Sequence, residues 1–373
     1  MRVIGEFVKG GSEMKRIGIN DIATYLDISR NTVSKVMNDR GRVSDNIRNK
    51  VIEAAIELGY TKLPEHLLEE HKMSQGYEEV KVSRTQNILV LAIAPDFSTF
   101  WGNIINGITN ELTDKGFTCL YNFLNFDQER VFEVPSIIKE VDIAGIIVMN
   151  LYNKEAMEKL ATTGIPIVYF DIPLGVDIIE MNTDVVVLEG RKSIYKITRH
   201  LIEQGDEILG FIGDTSYCKS IKERWLGFVN AHEHAGLKLH NEYCFTSHRQ
   251  GHFYFEKETE GAIESLVHDI NLLPDAFVCA NDVIAQKVIK KLANYGVRVP
   301  EDIRISGFDD IFREDEESQL TSVYIDIHQV GRRLAEQVVW RINNPDREHE
   351  VIKICGKIQY RQSTNRPTSL LLG

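Results

Sequence analysis

From residue 87 to about residue 366, short apolar runs alternate with segments whose apolar residues recur at helical spacing, and this alternation restricts the fold more than any other feature. Strands that alternate with helices form parallel sheets with right-handed crossovers. The predicted strands are residues 88–94, 117–122, 143–149, 165–170, 208–212, 243–246, 276–279 and 303–307, with 351–361 strand-like. The predicted helices are residues 100–115, 131–140, 154–163, 190–204, 220–235, 256–268, 283–295 and 330–342.

The strand–helix pattern restarts after a crossover near residue 190, so it predicts two α/β lobes rather than one continuous sheet. Two such lobes can clamp a small ligand in the cleft where the carboxyl ends of their strands meet. At 373 residues the chain is also too long for one hydrophobic core.

Residues 19–38 differ from this pattern and predict two short helices joined by a tight turn at residues 27–29. Ser29 can cap the second helix, which begins at Arg30, and a third helix follows over residues 44–58. Each short helix has one narrow apolar stripe, so the three helices must bury their stripes against one another. The stripes are Ile22, Ala23 and Leu26 in the first helix, and Val33, Val36 and Met37 in the second.

The net charge of −12 is unevenly distributed along the chain. Residues 15–50 carry eight Lys and Arg against four acids, a charge of +4, which leaves about −16 for the remainder. A protein that coats nucleic acid indiscriminately is therefore excluded, and only the helical segment suits a phosphate backbone.

Several other classes of protein lack their sequence signatures here. No apolar run approaches the roughly 20 residues of a membrane span, and the N-terminus lacks the apolar core of a signal peptide. The five cysteines form no CxxC pair, which predicts reduced thiols and a cytoplasmic protein. We expect no cofactor and no enzymatic activity, because no phosphate-binding glycine motif and no ordered nucleophile–base pair occurs.

Four histidines could suggest a metal site: His232, His234, His240 and His248. Two of them are separated by two positions on one predicted helix, so their side chains diverge. We therefore expect no bound metal.

The helical segment resembles the DNA-binding head of the lactose-repressor (LacI) family. The matching motifs are Asp21-Ile-Ala, the run from Ser29 to Asn38, Val43-Ser44, and Leu58-Gly-Tyr60, while Asp27 stands where the family usually has glycine. Asp tolerates the left-handed conformation of that turn better than most residues. The resemblance implies that Arg30 and Asn31 contact bases. It also implies that the other predicted residues contact phosphates and fix the position of the helix along the DNA. The predicted DNA-binding residues are Asn20, Ser29, Arg30, Asn31, Thr32, Ser34, Lys35, Asn38 and Arg42.

The family usually follows this head with a basic hinge helix that inserts a leucine into the minor groove. Here the corresponding stretch is rich in acids, which phosphates repel, and only Leu67 or Leu68 is a suitable wedge. We expect residues 63–86 to form an atypical linker between the domains.

The remainder of the chain resembles the LacI-family effector domain, which is similar to periplasmic sugar-binding proteins. The matching landmarks include Pro95-Asp96, Asn281-Asp282, Gly307-Phe-Asp-Asp310 and Arg361-Gln-Ser363. They lie at the ends of predicted strands or the starts of helices, where their side chains can converge on a ligand. Carboxylates, a guanidinium, an amide and aromatic faces together suit a sugar. The predicted effector-binding residues are Asp96, Phe97, Phe100, Trp101, Asp171, Arg224, Asn281 and Asp309.

These observations predict an N-terminal all-α helix-turn-helix domain followed by an α/β two-lobed, periplasmic-binding-protein-like effector domain with parallel sheets. The predicted boundaries are 1–13 (a disordered arm, or residues before a true start at Met14), 14–62 (the head), 63–86 (the linker), 87–366 (the two lobes) and 367–373 (a tail). Within 87–366, we expect the first lobe to cover 87–172 and about 322–345. The second lobe would then cover about 173–321 and 346–366.

The predicted function is transcriptional repression by a homodimer that binds a near-palindromic double-stranded DNA operator. A small-molecule effector in the cleft, most simply a carbohydrate, would control operator affinity. A purine-type corepressor is the alternative effector. A cleft enzyme acting on sugars and a sugar-transport protein are the other classes considered, and the first lacks a base and nucleophile while the second lacks a signal peptide.

Overall fold

A computed structural model of the protein describes residues 17–38, 43–60, 62–64, 67, 87–93, 99–125, 131–247, 255–267, 273–311 and 319–365. The chain forms two compact units, Met1–Arg84, called the head here, and Thr85–Gly373, the two-lobed unit. Six residues named above lie outside the described ranges: Arg42, Leu68, Pro95, Asp96, Phe97 and His248. The predicted arm and Met14 lie outside them as well.

The described residues of the head include the helices α1 (Ile19–Leu26), α2 (Arg30–Met37) and α3 (Asp45–Glu57). Their apolar stripes share one core, in which Ile22, Val33, Val36 and Ile52 are fully buried. The pattern of apolar residues therefore predicted the packing of the head correctly.

The turn between α1 and α2 has the predicted conformation. Asp27 adopts the left-handed region with φ of +53°, and the N–H of Ile28 donates to the Ala23 carbonyl at 3.0 Å. The Ser29 Oγ accepts the N–H of Thr32 at 3.1 Å and so caps α2. Both the aspartate in the glycine position and the serine cap are confirmed.

Leu67 belongs to the core of the head. Its side chain is fully buried in the same cluster as Ile22 and Val51, and its N–H donates to the Pro64 carbonyl at 3.1 Å. A side chain held in this way is not exposed for insertion into a groove. The prediction that Leu67 serves as a wedge is wrong for this conformation, and the packed part of the head extends beyond residue 62.

The first lobe contains a parallel six-stranded sheet with the strand order β11-β5-β4-β3-β1-β2. Its strands are β1 (Asn87–Ile93), β2 (Thr118–Leu124), β3 (Ile143–Met149), β4 (Ile167–Phe170), β5 (Asp184–Leu188) and β11 (Val351–Ile354). One face packs against α4 (Thr99–Asp114) and α11 (Ile327–Asn343), and the other against α6 (Lys154–Ala161). Both faces of β1 are buried, as its continuous apolar run predicts.

The second lobe contains a parallel sheet with the order β7-β6-β8-β9, formed by β6 (Leu209–Ile212), β7 (Cys244–Phe245), β8 (Ala276–Cys279) and β9 (Arg304–Ser306). The helices α7 (Arg191–Glu203) and α8 (Lys219–Ala235) cover one face, and α9 (Phe255–Val267) and α10 (Asp282–Ala293) the other. A separate antiparallel pair joins β10 (Ser322–Tyr324) to β12 (Lys357–Gln359).

The lobe boundaries differ from those expected. The strand β5 pairs with β4, and β11 pairs with β5, so residues 184–188 and 351–354 belong to the first lobe. The run Asp184–Leu188 is fully buried and rich in valine but is absent from the predicted strands, and its place in the sheet is not a local property. The predicted helix 131–140 is reduced to α5 (Ile137–Glu140), because Pro135 disfavours a helical conformation before it.

In the described part of the chain, no helix combines the length and the apolarity that crossing a bilayer requires.

Candidate functional site

One surface of the head carries the predicted DNA-binding side chains. Arg30 and Asn31 occupy the first turn of α2 and Lys35 lies one turn later, and all three are exposed. Asn20, in the first turn of α1, is also exposed. Side chains with N–H donors at the start of a recognition helix can bond to base edges and to phosphates.

Four other predicted DNA-binding residues form hydrogen bonds or close contacts at the ends of α2. The hydroxyls of Ser29 and Thr32 lie 2.8 Å apart, next to the cap. The Asn38 amide donates to the Ser34 carbonyl at 2.8 Å and lies 3.3 Å from the Ser34 hydroxyl. These groups shape the helix that presents Arg30, Asn31 and Lys35.

In the two-lobed unit, the carboxyl ends of the strands of both lobes meet. Tyr217, after β6, donates its hydroxyl to Oδ1 of Asn150, after β3, at 2.8 Å. The N–H of Lys219 donates to the Ile172 carbonyl at 2.9 Å. The two lobes therefore contact each other directly at the carboxyl ends of their strands, where the ligand cleft is predicted.

Asp171 follows β4 and also joins the lobes. Its Oδ1 accepts the N–H of Ile172 at 2.9 Å, and both carboxylate oxygens lie 3.3 Å from the N–H of Ser220 in the first turn of α8. Its φ of +61° lies in the left-handed region. This predicted ligand acceptor is therefore already bonded to the N-terminus of a helix in the opposite lobe.

Arg224 and Asp309 lie together at the second-lobe side of the cleft. Arg224 is 5% exposed; its Nη1 donates to the Ala280 carbonyl at 2.6 Å, and its guanidinium lies over the Phe308 ring at 3.6 Å from the ring centre. Its Nη2 is 3.6 Å from Oδ1 of Asp309. The guanidinium of Arg224 and the carboxylate of Asp309 therefore lie close together, as their predicted positions at the cleft require.

Asp309 is an unusual carboxylate. Its φ is +102°, and within the described ranges its Oδ1 has no hydrogen-bond partner. Burial raises its pKa to about 6, although the charge of Arg224 acts in the opposite direction. An acceptor that is buried and unsatisfied in this way is suited to a hydroxyl or N–H supplied by a ligand.

The turn that carries Asp309 is held by neighbouring ion pairs. Arg361 donates to both oxygens of Asp310, at 2.6 and 3.0 Å. The carboxylate of Asp282 accepts the Ser322 hydroxyl at 2.6 Å and the N–H of Ile311 at 3.0 Å. Burial, followed by the charge of Asp309, raises the pKa of Asp282 to about 7.

Asn281 has a different local role from the one predicted. Its Oδ1 accepts the N–H of Ile284 at 2.9 Å and caps α10. Its oxygen is therefore bonded to the backbone rather than presented to a ligand.

The aromatic side chains gather on the first-lobe side. Phe100 packs edge-on against Trp101 with the ring centres 5.1 Å apart, and Trp101 packs edge-on against Phe170 at 6.0 Å. Phe170 directly precedes Asp171, so this cluster lies next to the cleft. Tyr152 packs edge-on against Tyr217 at 4.7 Å.

Sequence reasoning missed Asn150, Tyr152 and Tyr217. Asn150 directly follows the correctly predicted strand β3, so the rule that selected Asp171 after β4 would also have selected it. Tyr217 lies five residues beyond β6, and no local signal shows that its hydroxyl reaches the other lobe.

The histidines make separate contacts. His232 Nδ1 lies 3.0 Å from the Phe228 carbonyl, and His234 Nδ1 lies 3.1 Å from the Tyr195 hydroxyl. Among the residues described, no three His, Cys, Asp or Glu side chains converge as metal ligands would.

Both parts of the chain match models of protein families. The model for bacterial regulatory proteins of the lacI family matches residues 18–62, and the model for the periplasmic binding protein-like domain matches residues 198–364. The first match covers the three helices of the head, and the second covers most of the second lobe.

Two similar proteins are regulators. The chain is 30% identical over 322 residues to the HTH-type transcriptional regulator DegA of Bacillus subtilis (strain 168), a match that covers 84% of this chain and 88% of DegA. It is 27% identical over 350 residues to the HTH-type transcriptional repressor PurR of Aliivibrio fischeri (strain ATCC 700601 / ES114), covering 93% of this chain and 98% of that repressor.

Solved structures share the fold. A complex of the transcriptional regulator CelR with cellobiose matches 93% of this chain and 100% of its own, with 22% identity and a TM-score of 0.63. The lac repressor dimer bound to its operator and the anti-inducer ONPF matches 94% of this chain and 99% of its own, with 17% identity and a TM-score of 0.58. With a helix-turn-helix head, a two-lobed α/β unit, and a match of this extent to DegA, the chain belongs to the LacI family of bacterial regulatory proteins.

Proposed function

We propose that this DNA-binding regulator is a repressor that binds a near-palindromic operator as a homodimer, and that a sugar or sugar derivative in the cleft controls its operator affinity. One head reads only a half-site, so two heads related by two-fold symmetry are needed. The lac repressor structure, a dimer bound to its operator, supports this arrangement by its fold.

The observation that carries the proposal is the arrangement of Arg224, Asp309 and the aromatic cluster at the cleft. A sugar hydroxyl can donate to the unsatisfied Oδ1 of Asp309, and the apolar face of a sugar ring can pack on Trp101 or Phe100. The CelR structure, a complex with cellobiose, supports a sugar as the effector by similarity of fold.

A purine-type corepressor is the second candidate, favoured by the match to PurR over 93% of this chain. A planar heterocycle could use the same aromatic faces and the same carboxylate. At 27% identity the relative does not distinguish between these ligands.

The linker between the head and the two-lobed unit also enters the proposal. Residues from 68 to 86 would connect the head to the two-lobed unit without a leucine wedge from Leu67, since that side chain is buried in the head. A ligand that binds the closed conformation more tightly than the open one would favour closure of the lobes. Closure would then change the distance between the two heads of the dimer.

The test has two stages. Selection from random duplexes should recover a palindromic site, and a thermal-shift panel of cellobiose, other neutral sugars, hypoxanthine and guanine should then identify a compound that changes operator affinity. A purified dimer with no preference for any duplex over random DNA, with or without these compounds, would refute the proposal.

Matched variants separate the roles within the head. Asn31→Ala should relax the sequence preference by about 1 to 3 kcal/mol at one base pair, whereas Lys35→Ala should weaken binding to all sequences and reduce its salt dependence. For the cleft, Asp309→Asn should abolish the effector response, and Asp177→Asn, an exposed carboxylate on the same unit, is the control.

A further inference from the structure

Two helices of the second lobe begin at the cleft, and the N-termini of both are already occupied. The free N–H groups and the dipole at such a terminus attract anions such as phosphate. At α8, the N–H of Ser220 faces the carboxylate of Asp171, and that of Lys219 donates to the Ile172 carbonyl. At α10, Oδ1 of Asn281 takes the N–H of Ile284, and the buried carboxylate of Asp282 stands in the first turn.

Two of the three nitrogens of the guanidinium at the cleft have acceptors nearby, while within the described ranges the buried Nε has no hydrogen-bond partner. Arg224 donates to the Ala280 carbonyl, lies against Phe308, and has Asp309 3.6 Å from its Nη2. Because Asp309 offsets its charge, Arg224 offers a hydrogen-bonding surface rather than an uncompensated positive charge.

The raised pKa values of two neighbouring carboxyl groups, Asp309 and Asp282, show that this region disfavours negative charge. The pKa of Asp309 is raised to about 6 mainly by burial, and that of Asp282 to about 7 by burial and by the charge of Asp309. Surroundings that disfavour these carboxylates also disfavour the charge of an added phosphate group.

We propose that the cleft is selective for uncharged ligands and excludes phosphorylated sugars, nucleotides and other anions. The inference rests on the proposed function only in taking the same cleft as the effector site. It narrows the effector to a neutral sugar or a neutral heterocycle. The half-buried Lys219, in the first turn of α8, is a cation that an anionic ligand at this helix could use.

The first experiment measures the charge selectivity of the cleft without any effector. In the full-length variant with Trp225→Phe and Trp340→Phe, the remaining Trp101 lies beside Phe170 and reports on the cleft. The quenching constant for iodide divided by that for acrylamide should be about threefold lower for Trp101 than for free N-acetyltryptophanamide, because the cleft repels the iodide anion. An equal ratio would overturn the proposal.

The second experiment uses inorganic phosphate and glucose 6-phosphate as anionic probes. Neither should raise the Tm of the wild-type protein above its value in chloride at equal ionic strength. Asp171→Gly fits the left-handed φ of +61° and exposes the N–H of Ser220, so phosphate should raise the Tm of that variant. Asp177→Asn is the control and should behave as wild type.

A rise in the wild-type Tm with either probe, lost in the variant Lys219→Met, would contradict the inference by placing an anion at α8. These outcomes do not depend on operator binding. A protein that shows charge selectivity but no regulated operator would refute the proposed function alone, and a regulated operator with a phosphorylated effector would refute this inference alone.

Discussion

Arg341, in α11, donates two hydrogen bonds to the carboxylate of Asp184 in β5, from Nη2 to Oδ1 at 2.7 Å and from Nε to Oδ2 at 3.0 Å. The same carboxylate accepts the Gln337 amide at 2.8 Å and the N–H of Glu350 at 3.0 Å. Burial alone would raise the pKa of Asp184, but these donors lower it below its ordinary value. This network joins the missed strand β5 to the C-terminal part of the first lobe.

We expect Arg341→Met to lower the free energy of unfolding by about 3 to 5 kcal/mol, because it leaves the Asp184 carboxylate buried without its main partner. Urea denaturation at pH 7 measures the change. Arg199→Met removes a surface pair with Glu203 instead, and should leave the free energy of unfolding nearly unchanged. Equal effects of the two substitutions would show that the buried pair has no special importance.

The raised pKa of Asp309 predicts a pH-dependent stability. Its folded-state pKa of about 6 exceeds its ordinary value of 3.8, so its favourable contribution is complete below pH 4 and is lost as the pH rises through 6. As the pH rises from 4 to 8, the free energy of unfolding of Asp309→Asn should therefore increase by about 2 to 3 kcal/mol relative to that of wild type. Urea titrations across this range measure the difference, and a constant difference would contradict the assignment.

The crossing of α4 and α11 depends on glycine. A Cβ at Gly107 would overlap the backbone oxygen of His328, whereas a Cβ at Gly102, on the same helix, would meet nothing within 4 Å. Gly107→Ala should destabilise the protein by about 1 to 3 kcal/mol through overpacking. Gly102→Ala should stabilise it by about 0.5 to 1 kcal/mol, because alanine favours a helix. Thermal unfolding of the two variants should shift in opposite directions.

The burial of Leu67 predicts a stability effect that is independent of DNA. Leu67→Ala should destabilise the head by about 2 to 5 kcal/mol, since it creates a cavity in the core. Leu67→Met preserves the volume and should cost less than about 1.5 kcal/mol. Hydrogen exchange of the amides of α1 to α3 in the full-length protein measures this effect. Unchanged exchange in Leu67→Ala would show that the side chain does not support the head.

Local features of the sequence predicted much of the fold. The left-handed Asp27, the Ser29 cap and the strand Ile143–Met149 all follow from residue type and periodicity over a few positions. The assignment of Asp184–Leu188 to the first sheet does not, because β5 lies between the nearby strand β4 and the edge strand β11, which is more than 150 residues further along the chain.

The candidate site shows the same division. The rule that polar residues after parallel strands converge correctly brought Arg224 and Asp309 together. It did not reveal that Asp171 and Asn281 are bonded to helix N-termini, or that Tyr217 reaches Asn150. The Asp171–Ser220 and Tyr217–Asn150 contacts depend on the relative position of the two lobes, which residue spacing within one segment does not encode. The Asn281 cap is local, three residues from its partner, and Asn is a common N-cap residue.

The first lobe is completed by the last elements of the chain, since α11 packs on its sheet and β11 forms its edge beside β5. During synthesis, N-terminal parts of a chain ordinarily fold first. Here the strands from Asn87 to Leu188 emerge long before the helix and the edge strand that cover them, while every strand of the second sheet emerges in between. A ribosome that stopped before Ile327 would therefore release a chain that has every strand of the second sheet but lacks the helix and the edge strand of the first lobe. The first lobe is thus the first to be translated and the last that can finish folding.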